Sequence, residues 1–124
     1  MRMINGRTFW LFGISGTGKT TIAQALQRHW NLLGRNVVLL DEEEMKKGLL
    51  NDLPANSVLK DELTRRIAEV AKLFNQQGLN IIVACITPLE TQRQLAAQII
   101  GPKNIYPVYI EAPVQICQRR DPKG

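Results

Sequence analysis

Between an apolar run, W-L-F, and a longer amphipathic one lies G-I-S-G-T-G-K-T-T, residues 13–21. It fits G-x-x-x-x-G-K-[ST], with Gly13, Gly18, Lys19 and Thr20 at the fixed positions. No other stretch restricts the fold so tightly, because the pattern has meaning only between a buried strand and the first turn of a helix. Glycine at 13, 16 and 18 permits backbone conformations that a β-carbon forbids, so successive N–H groups can turn inward on a chain of phosphates. The helix that follows adds its positive dipole end. Lys19 is then the cation for the β- and γ-phosphates, and the Thr20 hydroxyl a magnesium ligand. Gly13, Ser15, Gly16, Thr17, Gly18, Lys19, Thr20 and Thr21 form the expected phosphate-binding set. A bare strand-to-helix turn does not call for Lys-Thr after its last glycine.

The remainder supplies the context the loop requires. Apolar runs of strand length lie at 8–12, 36–40, 80–86 and 105–110, and N-V-V-L-L at 36–40 has the composition of a strand buried on both faces. Helical spacing connects Ile22, Leu26, Trp30 and Leu33 over 18–33, stopped by Gly34. It also connects Leu59, Leu63, Ile67, Val70 and Phe74 over 59–77, stopped by Gly78. Further helices are expected at 43–50, at 89–100 and, shortly, from Pro113. This alternation predicts βαβ units: an α/β P-loop NTPase fold with a parallel sheet and helices on both faces. One domain over 1–124 accommodates all of it.

A chain with 44% hydrophobic and 22% charged residues is not disordered, and no apolar run reaches the roughly 18 residues of a membrane span. Cys85 and Cys117 stand in no metal-ligand spacing, and the N-terminus lacks the order of a signal peptide, so a reduced, cytoplasmic protein is expected. The net charge of +5 suits an anionic partner. The basic residues are mostly dispersed and poorly interleaved with aromatics, which favours a phosphorylated small molecule over nucleic acid.

The loop alone specifies a nucleotide, not a reaction. Ligands of open α/β sheets sit at the carboxyl ends of the strands, which places D-E-E-E, 41–44, opposite the phosphate loop. Asp41 could hold magnesium through water, and Glu43 could take a proton from an attacking hydroxyl. Glu42 and Glu44 read as a solvated helix start. His29 reads as a surface or packing residue, and Cys85 as a small core residue.

With F-W-L-F-G-I-S-G-T-G-K-T-T-I-A, the strand ending L-L-D, R-R-I-A-E-V-A-K-L-F with Q-G-L-N-I-I-V-A, I-T-P at 86–88 and R-R-D-P-K-G at 119–124, the chain resembles the adenylylsulfate kinases. These enzymes transfer the ATP γ-phosphate to the 3′-hydroxyl of adenosine 5′-phosphosulfate, and the resemblance implies that reaction with Mg2+-ATP. It implies catalytic roles for Lys19, Asp41 and Glu43, and magnesium on Thr20 and Asp41. Arg120 falls in the ATP-side segment near the adenine, and Lys46, Lys60, Ile86 and Thr87 fall on the acceptor side. A homodimer is the implied assembly.

The departures concern the acceptor. The family pattern D-G-D-N is D-E-E-E here, so Glu43 replaces an aspartate. Ala55 stands where a phenylalanine stacks on the substrate adenine, Lys46 and Lys60 replace arginines, and Leu63 replaces an asparagine. A stacked base contributes about 1–3 kcal/mol, and Arg to Lys loses a bidentate fork. A different nucleotide-linked acceptor, such as cytidine diphosphoramidate, is therefore one alternative. The family pattern continues past D-P-K-G into a basic lid, a strand and a helix, so the resemblance implies a C-terminally incomplete domain. A catalytically silent ATP-binding module is the other alternative.

Overall fold

The computed structural model describes residues 6–13, 18–54, 60–87 and 89–110. Four strands, β1 (Thr8–Phe12), β2 (Val37–Asp41), β3 (Asn80–Ala84) and β4 (Ile105–Tyr109), form one parallel sheet in the order β2-β3-β1-β4. The helices are α1 (Lys19–Leu32), α2 (Glu42–Met45), α3 (Lys60–Gln76) and α4 (Glu90–Ile100). The predicted α/β architecture is present, with boundaries shifted by one or two residues at most elements. The helix expected from Pro113 lies outside the described residues.

Alternation along the strands produces the two layers. Trp10, Ile81, Val83 and Cys85 point to one face, under Ile67, Ala68 and Ala71 of α3 and Ala96 and Ile100 of α4. Leu11, Ile82, Ala84 and Val37 point to the other, under Ile22, Ala23, Leu26 and Trp30 of α1. At the end of α3, Gly78 adopts φ 85°, and the Leu79 N–H returns to the Phe74 carbonyl at 3.1 Å. A left-handed residue at this point is what glycine supplies most readily.

Two expectations need correction. The run at 36–40 reads as a doubly buried strand, but β2 is an edge of the described sheet, and Val38, Leu39 and Leu40 are only half-buried. Composition registers apolarity, not position in the sheet. The helix expected over 43–50 closes after Met45 and continues as turns, with Lys47 N–H on the Glu44 carbonyl, Gly48 on Met45 and Asn51 on Gly48. These turns carry Leu50 into the core beside Leu63 and Ile67.

Register positions the site. Leu11 and Asp41 both lie opposite Ala84 of β3, so β1, β2 and β3 end level with one another. The phosphate loop, the acidic run and the β3–α4 connection therefore leave the sheet along one edge.

Candidate active site

The phosphate loop is described at its two ends. Gly18 precedes α1 with φ 92° and ψ 20°, a left-handed conformation that releases the chain from β1 into the helix. The first helical hydrogen bond runs from the Ile22 N–H to the Gly18 carbonyl at 2.9 Å. The first turn of α1 contains no acidic residue, so nothing there opposes the positive end of the helix. Lys19 is 9% exposed, Thr20 half-buried and Thr21 exposed. Ser15, Gly16 and Thr17 lie outside the described residues, as does Arg120.

Burial lowers the Lys19 pKa, because desolvation penalises its charged form; Glu42 foremost, then Cys85, Asp41 and Glu43, pull in the opposite direction. The acids after β2 thus lie within electrostatic reach of the loop lysine. The acids themselves are not equivalent. Asp41 is 8% exposed and accepts the Glu43 N–H at 3.0 Å, capping α2. Glu43 reaches outward, with its side chain 70% exposed, and lies 3.1 Å from the Lys46 ammonium. Glu44 is equally exposed and pairs with Lys47 at 3.5 Å.

Glu42 corrects the sequence reading. It is 3% exposed, and its carboxylate accepts the Ile86 N–H at 2.7 Å and lies 3.6 Å from the Lys46 ammonium. The β3–α4 connection delivers that N–H to the first turn of α2, and the side chain turns inward to meet it. Glu44 remains the solvated residue expected.

Of the residues expected on the acceptor side, Lys46 is half-exposed, and its pKa is raised by its hydrogen bond to Glu43 and the charge of Glu42. Ile86 contributes its N–H to Glu42. Thr87 is fully buried, and its hydroxyl accepts the Trp10 indole N–H at 3.1 Å. Lys60 is the first residue of α3, and Ala55 lies outside the described residues. Leu63 packs in the core with Leu50 and Ile67. His29 is exposed and Cys85 is core, as read from the sequence.

Of Arg65 and Arg66, at the head of a strong helix, the sequence leads one to expect at least one surface charge, and it does not single out Arg93. Arg66 donates from Nη1 to the Leu49 carbonyl at 2.9 Å and grips Asp52 at 2.6 and 3.1 Å, fastening the turns after α2 to α3. Its Nε donates to Glu62 at 2.8 Å, and that i,i+4 spacing was the available signal. Arg93 donates to the Thr87 carbonyl at 2.6 Å and lies over the Phe12 ring at 4.1 Å from its centroid. No pattern in the sequence singles it out.

The model of the family described as "Adenylylsulphate kinase" matches residues 5–124. The chain belongs to this family. Among adenylylsulfate kinases it is 37% identical over 115 residues to the enzyme of Aeromonas salmonicida, covering 93% of this chain and 59% of that one. It is 43% identical over 115 residues to the probable adenylyl-sulfate kinase of Bacillus subtilis, covering 93% and 58%. The chain thus spans under two thirds of the length of these curated relatives. The Mycobacterium tuberculosis APS kinase solved in complex with AMPPNP and APS superposes with a TM-score of 0.86 at 33% identity, over 98% of this chain and 72% of that one. No described helix is long and apolar enough to cross a membrane.

Proposed function

We propose that the chain is the nucleotide-binding core of an adenylylsulfate kinase, with residues 1–124 as one domain, acting in the cytoplasm on Mg2+-ATP and adenosine 5′-phosphosulfate. The observation that carries this reading is the meeting, at one sheet edge, of a buried Lys19 at the head of α1 with Asp41, Glu42 and Glu43 after β2.

Each residue has a role that follows from its setting. The backbone of 13–18 and the positive end of α1 receive the phosphates, and Lys19 neutralises the β- and γ-groups. Among the described residues no group of three or more His, Cys, Asp or Glu could hold a metal. A hydroxyl from Thr20 and a carboxylate from Asp41 suit an ion that keeps much of its water and takes other ligands from phosphate, which is the habit of magnesium. Such an ion would draw charge from the transferring phosphoryl group.

Glu43 is the carboxylate that an incoming hydroxyl can reach, since it is solvent-facing where Glu42 is enclosed. It accepts the proton of the acceptor's 3′-hydroxyl as that oxygen bonds to the γ-phosphorus. The bond from the γ-phosphorus to the β–γ bridging oxygen breaks, and ADP leaves with its electron pair. Lys46, Ile86 and Thr87 are assigned to the acceptor side by the family pattern; the Ile86 N–H holds Glu42, and Thr87 accepts from the Trp10 indole. Lys60 and Arg120 are assigned to acceptor and ATP by the family pattern, as is a homodimer. The test is binding of Mg-AMPPNP by calorimetry. Saturable binding by the wild type that falls by at least about tenfold in Lys19→Ala supports the reading; equal affinity of the two proteins would refute it.

A further inference from the structure

Glu42 stands where the family pattern has glycine, and its surroundings are those of a bound anion. A backbone N–H donates to it at 2.7 Å, and an ammonium lies 3.6 Å away. An amide N–H beside a lysine is a general seat for carboxylate, phosphate or sulfate. Here the protein fills that seat with its own side chain, buried to 3% exposure. Glu43 also engages Lys46, at 3.1 Å, and the Glu42 charge acts on Lys19 as well, so any anion entering this corner would meet the carboxylates already there.

We infer that Glu42 is a specificity-determining residue of the acceptor site: its carboxylate occupies the seat made by the Ile86 N–H and Lys46, closing that corner to an anionic group of the acceptor. The corner accepts uncharged, hydrogen-bond-donating parts of the acceptor instead, such as sugar hydroxyls. An external sulfate or phosphate entering it would need Glu42 to leave its hydrogen bond from Ile86 and its ion pair with Lys46 and would then stand beside a displaced like charge. That is discrimination by repulsion. The inference rests on the kinase reading above and refines its acceptor class.

The test measures binding of adenylylsulfate and of adenosine, by calorimetry in saturating Mg-ADP, to the wild type, Glu42→Gln and Glu42→Gly. Mg-ADP affinity is determined first in each protein. Adenylylsulfate should bind Glu42→Gly at least about tenfold more tightly than the wild type, with Glu42→Gln between, while adenosine, measured at Mg-ADP saturation fixed separately for each protein, changes by less than about threefold. A gain confined to the anionic ligand is a result that structural damage does not produce. Unchanged or weaker adenylylsulfate binding in both variants, or an equal gain for adenosine, would overturn the inference. Loss of Mg-ADP binding in both variants would make Glu42 a structural strut and overturn it as well. A wild type that fails to bind Mg-ADP would overturn the kinase reading, and this inference with it.

Discussion

Three glutamates in succession, chemically alike, have three different settings here, and the difference sets what each substitution should do. Glu43 faces solvent beside Lys46; with the proton-accepting role proposed for it, Glu43→Gln should lower kcat by about 10²–10⁴ with KM little changed, since the change keeps the shape. Steady-state kinetics with adenylylsulfate checks this, and a drop in kcat/KM through KM alone would contradict it. Thr87 is buried against Trp10; Thr87→Val leaves the indole N–H without its acceptor and should cost about 1–3 kcal/mol in denaturant unfolding. A variant as stable as the wild type would show that the bond contributes nothing. At this scale the sequence was legible where backbone geometry demands a residue type. Gly18 at φ 92° followed by a buried Lys19 is such a place. It was illegible where identical side chains compete, since the burial of Glu42 depends on an N–H from Ile86, 44 residues along the chain.

At the scale of elements, the join between α3 and the turns after α2 depends on Arg66. Arg66 shares Glu62 with Arg65, and hydrogen bonds from Arg65 and then Arg66 hold the Glu62 pKa down at about 2 against an ordinary 4.5. A carboxylate depressed on folding stabilises the folded state above its unfolded pKa, and that contribution fades as pH falls from about 4.5 toward 2. Thermal melts across that range should therefore show the wild type losing stability more steeply than Glu62→Gln; parallel curves would remove Glu62 from the acid response. Arg66→Met should lower the melting temperature at neutral pH and raise KM for the acceptor more than for ATP, because the turns it fastens follow Lys46 directly. An equal effect on both substrates would contradict that placement. The strands and the three long helices were readable from periodicity, since period 2 and period 3.6 are local properties. The burial of β2 and the early end of α2 were not, because both are decided by neighbours in the sheet and by the route Leu50 takes into the core.

For the whole molecule, level strand ends turn a local motif into a site. Leu11, Ala84 and Asp41 stand side by side, so the segments after β1, β2 and β3 all leave the sheet at the same level. The net charge of +5 suits a polyanionic nucleotide, and the close superposition on an APS kinase indicates the same arrangement of strands and helices. The acceptor was the least legible part of the sequence, because the residues proposed to recognise it, Lys46 and Glu42 among them, differ from the family pattern. The most direct test of the central claim is turnover of Mg-ATP by the purified chain with adenylylsulfate, with cytidine diphosphoramidate and with no acceptor, beside Lys19→Ala. The account predicts ADP formation stimulated by adenylylsulfate and reduced by about 10²–10³ in the variant. Tight Mg-ATP binding with no stimulation by adenylylsulfate would contradict it.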